Sequence, residues 1–250
     1  MNIAFINHKG GIGKTTLAVN TAFRSKEMKK TLLLLDFDEQ RNSMQLYSGY
    51  AWENEGEWQE DAYVKLLMAN SDMAISVGSF ENIPFDCPPS YSSADTFIRF
   101  LQKNGIGIDI WVVPIESRTS ISGANTVVKK IRTIFPSSRV VLVLNRCVSG
   151  DITQADRTEA AMFPNIELCK IIIPVSNVGL TMFEQKGGKP VWLYYKNRAA
   201  TRMKMFCEAL LRGMPYSIVI RNEADVIVDE TRKSFAIQPI RRKMDYGTWR

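Results

Sequence analysis

A strand pattern, Asn2-Ile3-Ala4-Phe5-Ile6-Asn7, runs without a break into His8-Lys9-Gly10-Gly11-Ile12-Gly13-Lys14-Thr15-Thr16. A helical apolar period then continues to about Met28. This order constrains the fold more than any other feature of the chain. Glycines let backbone N–H groups turn inward around an anion, and the helix start that follows adds partial positive charge. Lys14 is placed to reach the β- and γ-phosphates of a nucleotide, and the Thr15 hydroxyl to ligate Mg²⁺. Gly10, Gly11, Ile12, Gly13, Lys14, Thr15 and Thr16 are therefore the expected cradle for ATP with Mg²⁺. The plainer alternative, a glycine turn between a strand and a helix, leaves Gly-x-Gly-Lys-Thr-Thr directly after a strand unexplained.

Beyond the loop, short apolar runs alternate with segments of helical period. That pattern predicts an α/β fold, a mostly parallel twisted sheet with helices on both faces. The expected strands are 2–7, 31–35, 83–86, 108–115, 139–145 and 168–173, and the expected helices 14–28, 119–135 and 197–211. On the last helix Ala199, Met203, Phe206 and Leu210 share one face, and Arg198, Arg202 and Arg212 another. The acidic stretch Glu53–Asp61 reads as an exposed loop or a helix start. Residues 1–213 form the expected core domain, and 214–250 an appendage in which 216–220 and 226–228 have strand character.

Composition narrows the setting. No apolar run approaches the ~20 residues of a membrane span. The amino-terminal residues lack the basic lead and cleavage site of a signal peptide. Cys87, Cys147, Cys169 and Cys207 are widely spaced, which suits reduced thiols in a cytoplasm better than a disulfide frame or a zinc site. Residues 1–189 hold 20 basic and 20 acidic side chains, whereas 190–250 hold 12 and 6, so the whole +6 excess lies there. Such a segment is either a solvated surface or the footprint of a polyanion.

Two further segments end in carboxylates. Leu33-Leu34-Leu35-Asp36-Phe37-Asp38 is an apolar strand followed by Glu39-Gln40-Arg41-Asn42. An Asp pair there caps the next helix or, beside a γ-phosphate, orients water and helps hold the magnesium shell. Phe85-Asp86-Cys87-Pro88-Pro89-Ser90 ends a second strand, where Asp86 would accept from a magnesium-bound water. Pro84 lies within that strand and cannot donate to a ladder, so its pairing should be short or locally distorted.

The strict formula G-x-x-x-x-G-K-[ST] fails at its first glycine, where His8 stands, and an additional lysine, Lys9, precedes the glycines. In Lys-Gly-Gly-Ile-Gly-Lys-Thr-Thr the chain resembles the deviant Walker-A P-loop ATPases of the ParA/MinD family. The segments around Asp36–Asn42 and Asp86–Ser90 are similar to that family's second and third motifs, with Glu39 and Arg41 in place of its proline and glycine. The resemblance spans roughly residues 2–212 and finds no counterpart for 214–250. The interval of about 45 residues between those two motifs is short for the family, as though a helix-strand unit were trimmed. The resemblance implies that Lys9 reaches across a dimer interface to the partner's nucleotide and neutralises developing charge. It also implies that Asp38 positions the attacking water, that Thr15, Asp38 and Asp86 hold Mg²⁺, and that Asn145 contacts the adenine.

Three functions compete on this scaffold. A ParA-type partition ATPase would form a homodimer with ATP, bind DNA nonspecifically through Arg198, Arg202 and Arg212, and be stimulated by a ParB-like adaptor. It would be cytoplasmic and associated with the nucleoid, and with no DNA-reading extension ahead of the loop it would not recognise an operator. A MinD-like regulator needs an amphipathic tail helix for the membrane, and Pro239 breaks the basic tail of this chain. An ATP-dependent enzyme is the third, although the sequence presents neither cluster-ligand cysteine motifs nor a substrate signature. The partition reading is the one expected.

Overall fold

Strands that alternate side chains between two covered faces read as near-continuous apolar runs, and the sheet here is of that kind. The computed structural model describes residues 1–38, 40, 42–49, 57–59, 62–70, 72–75, 79–88, 91–115, 118–145, 166–173, 188–194, 198–214, 217–221 and 224–228. Its main sheet has eight strands: β1 (Asn2–Phe5), β2 (Leu32–Asp36), β3 (Glu57–Gln59), β4 (Val64–Met68), β5 (Ile83–Asp86), β6 (Ile110–Ile115), β7 (Arg139–Asn145) and β8 (Ile166–Ile173). Their order is β3-β4-β2-β5-β1-β6-β7-β8. Every pairing is parallel except that of β3 with β4.

The helices are α1 (Lys14–Glu27), α2 (Asn42–Ser48), α3 (Tyr91–Lys103), α4 (Arg118–Ile134), α5 (Val191–Tyr194) and α6 (Arg198–Leu211). One face of the sheet, with Ile3, Phe5, Leu32, Leu34, Val112 and Val141, packs against α1, α2 and α6. The other, with Ala4, Leu33, Leu35, Phe85, Trp111 and Leu142, packs against α3 and α4. On α6, Met203, Phe206 and Leu210 are buried as the helical period predicts. Arg24 of α1 bonds Glu208 of α6, and Glu27 pairs with Lys204 at 3.2 Å, so the two helices are tied at their rims as well. Among the described residues no helix is long and apolar enough to cross a membrane.

Six strands and three helices stand close to where sequence periodicity places them. The region between the two acidic motifs differs. It holds α2, and then β3 and β4, and residues 57–59 of the acidic stretch form the antiparallel edge strand in place of a loop or helix start. The run Val64–Met68 pairs with β2 from Leu32↔Val64 to Asp36↔Met68.

Pro84 leaves a local defect. Ile83 N donates to Met1 O at 2.8 Å and Cys87 N to Phe5 O at 3.2 Å, so odd-numbered amides face β1. By alternation the ring nitrogen of Pro84 faces β2. On that side the regular pairing is confined to Leu35↔Phe85 and Asp36↔Asp86, with an isolated bridge at Leu32↔Asn82. The proline thus costs one rung and leaves the carboxyl end of the strand, where Asp86 stands, fully paired on both sides.

At the opposite end of the sheet, Arg139 opens β7 and donates from Nη1 to Gly213 O at 3.2 Å and from Nη2 to Met214 O at 2.7 Å. The end of α6 is clamped there. Beyond it β9 (Ser217–Arg221) and β10 (Ala224–Val228) form an antiparallel hairpin, matching the strand character read from sequence. Residues 229–250 lie outside the described residues. Replacing Phe206, fully buried where α6 meets α1 and the sheet, with Ala should lower stability by about 3–5 kcal/mol in denaturant unfolding.

Candidate functional site

The carboxyl ends of β1, β2, β5, β6 and β7 converge on one edge of the sheet, where open α/β folds bind ligands. β1 lies between β5 and β6, and the loop that leaves it turns directly into α1. Two glycines make that turn. Gly11 and Gly13 have φ of +72° and +91°, a left-handed conformation that an L side chain adopts only with strain. Gly13 is constrained twice, because a Cβ there would run into the amide nitrogen of Asn145.

Asn145, at the end of β7, is 4% exposed and donates from Nδ2 to Ile12 O at 2.6 Å. In this structure it braces the loop. A second brace, Asn7, was not singled out by its sequence context. Its Nδ2 donates to Pro114 O at 2.8 Å on β6, and its Oδ1 accepts from Lys9 N at 3.1 Å. An asparagine closing the apolar run Ile3-Ala4-Phe5-Ile6 just ahead of the glycine loop is the signal the sequence offered.

The two lysines of the loop differ in environment. Lys14 is 6% exposed, and its Nζ donates to Lys9 O at 3.2 Å. Burial lowers its pKa, while the nearby charges of Asp86, Cys87 and Asp38 oppose that shift. Lys9 is exposed, and His8 beside it is half-buried.

The acidic residues form a tight group. Register pairs Asp36 with Asp86 across β2 and β5, and Asp86 also with Phe5 of β1. Asp36 is 2% exposed, and backbone amides occupy both its oxygens: Asp38 N to Oδ1 at 2.9 Å and Ser43 N to Oδ2 at 3.0 Å. Burial pushes its pKa well above the carboxylate range, and the neighbouring Asp86 pushes it further. Asp86 is fully buried and raised to about 6 by that burial, while hydrogen bonding from Ser43 and Thr15 and the Lys14 charge hold it down. Ser43 Oγ donates to its Oδ2 at 2.6 Å. Its Oδ1 is buried without a hydrogen-bond partner. Asp38 is half-buried, and its Oδ1 accepts from Gln40 N at 3.0 Å. Glu39 and Arg41 lie outside the described residues.

An orphaned carboxylate oxygen beside a threonine hydroxyl fits Mg²⁺, a hard cation that takes oxygen ligands and is usually completed by waters and phosphates. Thr15 and Asp86 would hold it, Asp38 standing nearby. Cys87, next to Asp86, is fully buried and its thiol is pushed up by burial and by Asp86, so it is an inert packing residue.

The basic face predicted on α6 is not what the fold gives. Arg202 is 7% exposed, because the helix is covered on more than its apolar stripe. Arg212 is exposed but paired with Glu208 at 2.8 Å, and the side chain of Arg198 lies outside the described residues. Ahead of α5 and at its start, Gly188 N donates to Leu46 O at 3.0 Å and Val191 N to Asn20 Oδ1 at 2.9 Å, which fastens this segment to α2 and α1.

A family model described as an AAA domain matches residues 1–76. No curated protein matches the sequence. Among solved structures the fold is shared with a ParA family ATPase from Chlorobium tepidum TLS, at 17% identity and a TM-score of 0.66 over 84% of this chain and 98% of that one. It is shared also with the MinC:MinD cell division protein complex of Aquifex aeolicus, at 17% identity and a TM-score of 0.62 over 88% and 98%. A third is the cobyrinic acid a,c-diamide synthase of Mycobacterium smegmatis with bound ADP and magnesium, at 17% identity and 0.57 over 84% and 94%. The ParA/MinD resemblance of the sequence and the fold of the chain thus agree.

Because Asp86 has a folded pKa above its ordinary 3.8, folding takes up a proton, and the nucleotide-free chain should lose stability as pH rises from about 4 through 6. Asp86→Asn should remove the Asp86 share of that loss, leaving the share of Asp36, and raise stability near pH 7 by on the order of 1–3 kcal/mol. Thermal melts of both proteins across pH, without nucleotide, provide the check.

Proposed function

We propose that this chain is a ParA-type ATPase that dimerises on ATP, binds DNA nonspecifically, and resets by hydrolysis in a partition cycle. The observation that carries the reading is the pair of lysines on one loop. Lys14 is buried beside Asp86, where it would meet the nucleotide of its own subunit, while Lys9 is exposed on the outer side of the same turn. A lysine that only served its own site would gain from burial there. An exposed one, its backbone held by Asn7 and Lys14, is suited to reach a second subunit.

Asp38 stands within electrostatic reach of Lys14 and is the residue best placed to orient a water. Its backbone is tied to Asp36, which fixes where the carboxylate begins. Bound Mg²⁺ would neutralise phosphate charge next to Thr15 and Asp86. The dry surroundings of Lys14 strengthen its attraction for phosphate oxygens.

The surface that meets DNA is assigned to the basic excess of residues 190–250 as a whole, and no longer to Arg202. The neighbours in fold span a ParA family ATPase, a cell division protein complex and a synthase, and that breadth is why the DNA step requires its own test. The ParB-like adaptor belongs to the same reading.

The test has two arms. Lys14→Ala should abolish nucleotide binding, whereas Lys9→Ala should bind ATP yet stay monomeric by analytical ultracentrifugation. In a mobility shift on random-sequence duplex DNA at fixed salt, the wild type should bind with ATP and release with ADP. A shift independent of nucleotide, or none at all, would count against the partition cycle and direct the next experiment to liposomes.

A further inference from the structure

The motif that carries Asp38 is closed at both ends on a single carboxylate. Asp38 N and Ser43 N occupy the two oxygens of Asp36, so the backbone of both residues is tied to one buried side chain. Ser43 then makes one more contact, and it leaves the loop. Its hydroxyl donates to Asp86 Oδ2 at 2.6 Å, on a different strand and 43 residues away.

A serine in the first turn of a helix ordinarily turns its hydroxyl to a local backbone group. Ser43 spends its only O–H on a fully buried carboxylate instead, and is itself 0% exposed. The consequence for Asp86 is asymmetric. Oδ2 is occupied, and Oδ1 is left as the one oxygen without a partner.

We infer that Ser43 is a positioning residue, which orients Asp86 to offer Oδ1 to the magnesium shell and ties the Asp38 loop to that same carboxylate. The inference rests on the Mg²⁺-nucleotide reading given above. Through this link Asp38, the start of α2 and the strand end bearing Asp86 are joined by one set of hydrogen bonds. Without the Ser43 hydroxyl the carboxylate keeps only the Thr15 hydroxyl of the two that hold it, and its alignment must be recovered at the expense of metal affinity. Outer-shell hydrogen bonds of this kind are worth about 10–100-fold in metal affinity.

The experiment is a Mg²⁺ titration of a fluorescent, non-hydrolysable ATP analogue bound to wild type, Ser43→Ala and Ser43→Thr, with a thermal melt of each. Ser43→Ala should bind the analogue without Mg²⁺ as the wild type does. Its Mg²⁺ midpoint should rise about 10-fold. Ser43→Thr retains the hydroxyl and should titrate like the wild type. A serine that only supports the fold would lower the melting temperature and leave the midpoint unmoved, and that result overturns the inference. So does a folded Ser43→Thr shifted as far as Ser43→Ala. If the alanine variant does not fold, Ser43→Cys, a weaker donor of similar size, replaces it under the same criteria. A wild type that binds no nucleotide with Mg²⁺ refutes the underlying ATPase reading, which is a different outcome.

Discussion

Two carboxylates held side by side in a dry sheet, Asp36 and Asp86, are the constraint on which the site depends. Their strands pair in register at that point, so the backbone forces the juxtaposition. Like charges so placed cannot both ionise freely, and burial raises both pKa values. The surrounding groups answer this directly. Two amides fill Asp36, a serine and a threonine hydroxyl hold Asp86, and Lys14 is brought in from the glycine loop. The pair therefore carries an electrostatic cost that a cation placed beside it would relieve.

The supports of the glycine loop follow the same logic. Asn7, just past β1, and Asn145, at the end of β7 with β6 between them, hold loop atoms by side-chain amides. Amides make these bonds without adding charge beside the glycine loop. The left-handed glycines permit the turn, and the asparagines select one version of it.

Much of this was legible in the sequence, for a physical reason. Glycine turns, apolar strands and strand-end carboxylates are local features, and they fix the loop, Asp36, Asp38 and Asp86 without reference to distant residues. Pro84 could be read the same way, since a missing donor is a property of one residue. What escaped was non-local. The short β4 reads as a plain apolar run until β2 is beside it. Ser43 and Asn7 acquire meaning only from partners 43 and 107 residues away. Arg202 shows the converse error, because a charged residue at surface spacing is exposed only if nothing else covers that side of the helix.

The clamp of Arg139 on Gly213 and Met214 gives the molecule a polarity. Parallel strands all begin at one pole and end at the other. The glycine loop and the acidic group gather at the pole where they end, and α6 ends at the pole where they begin.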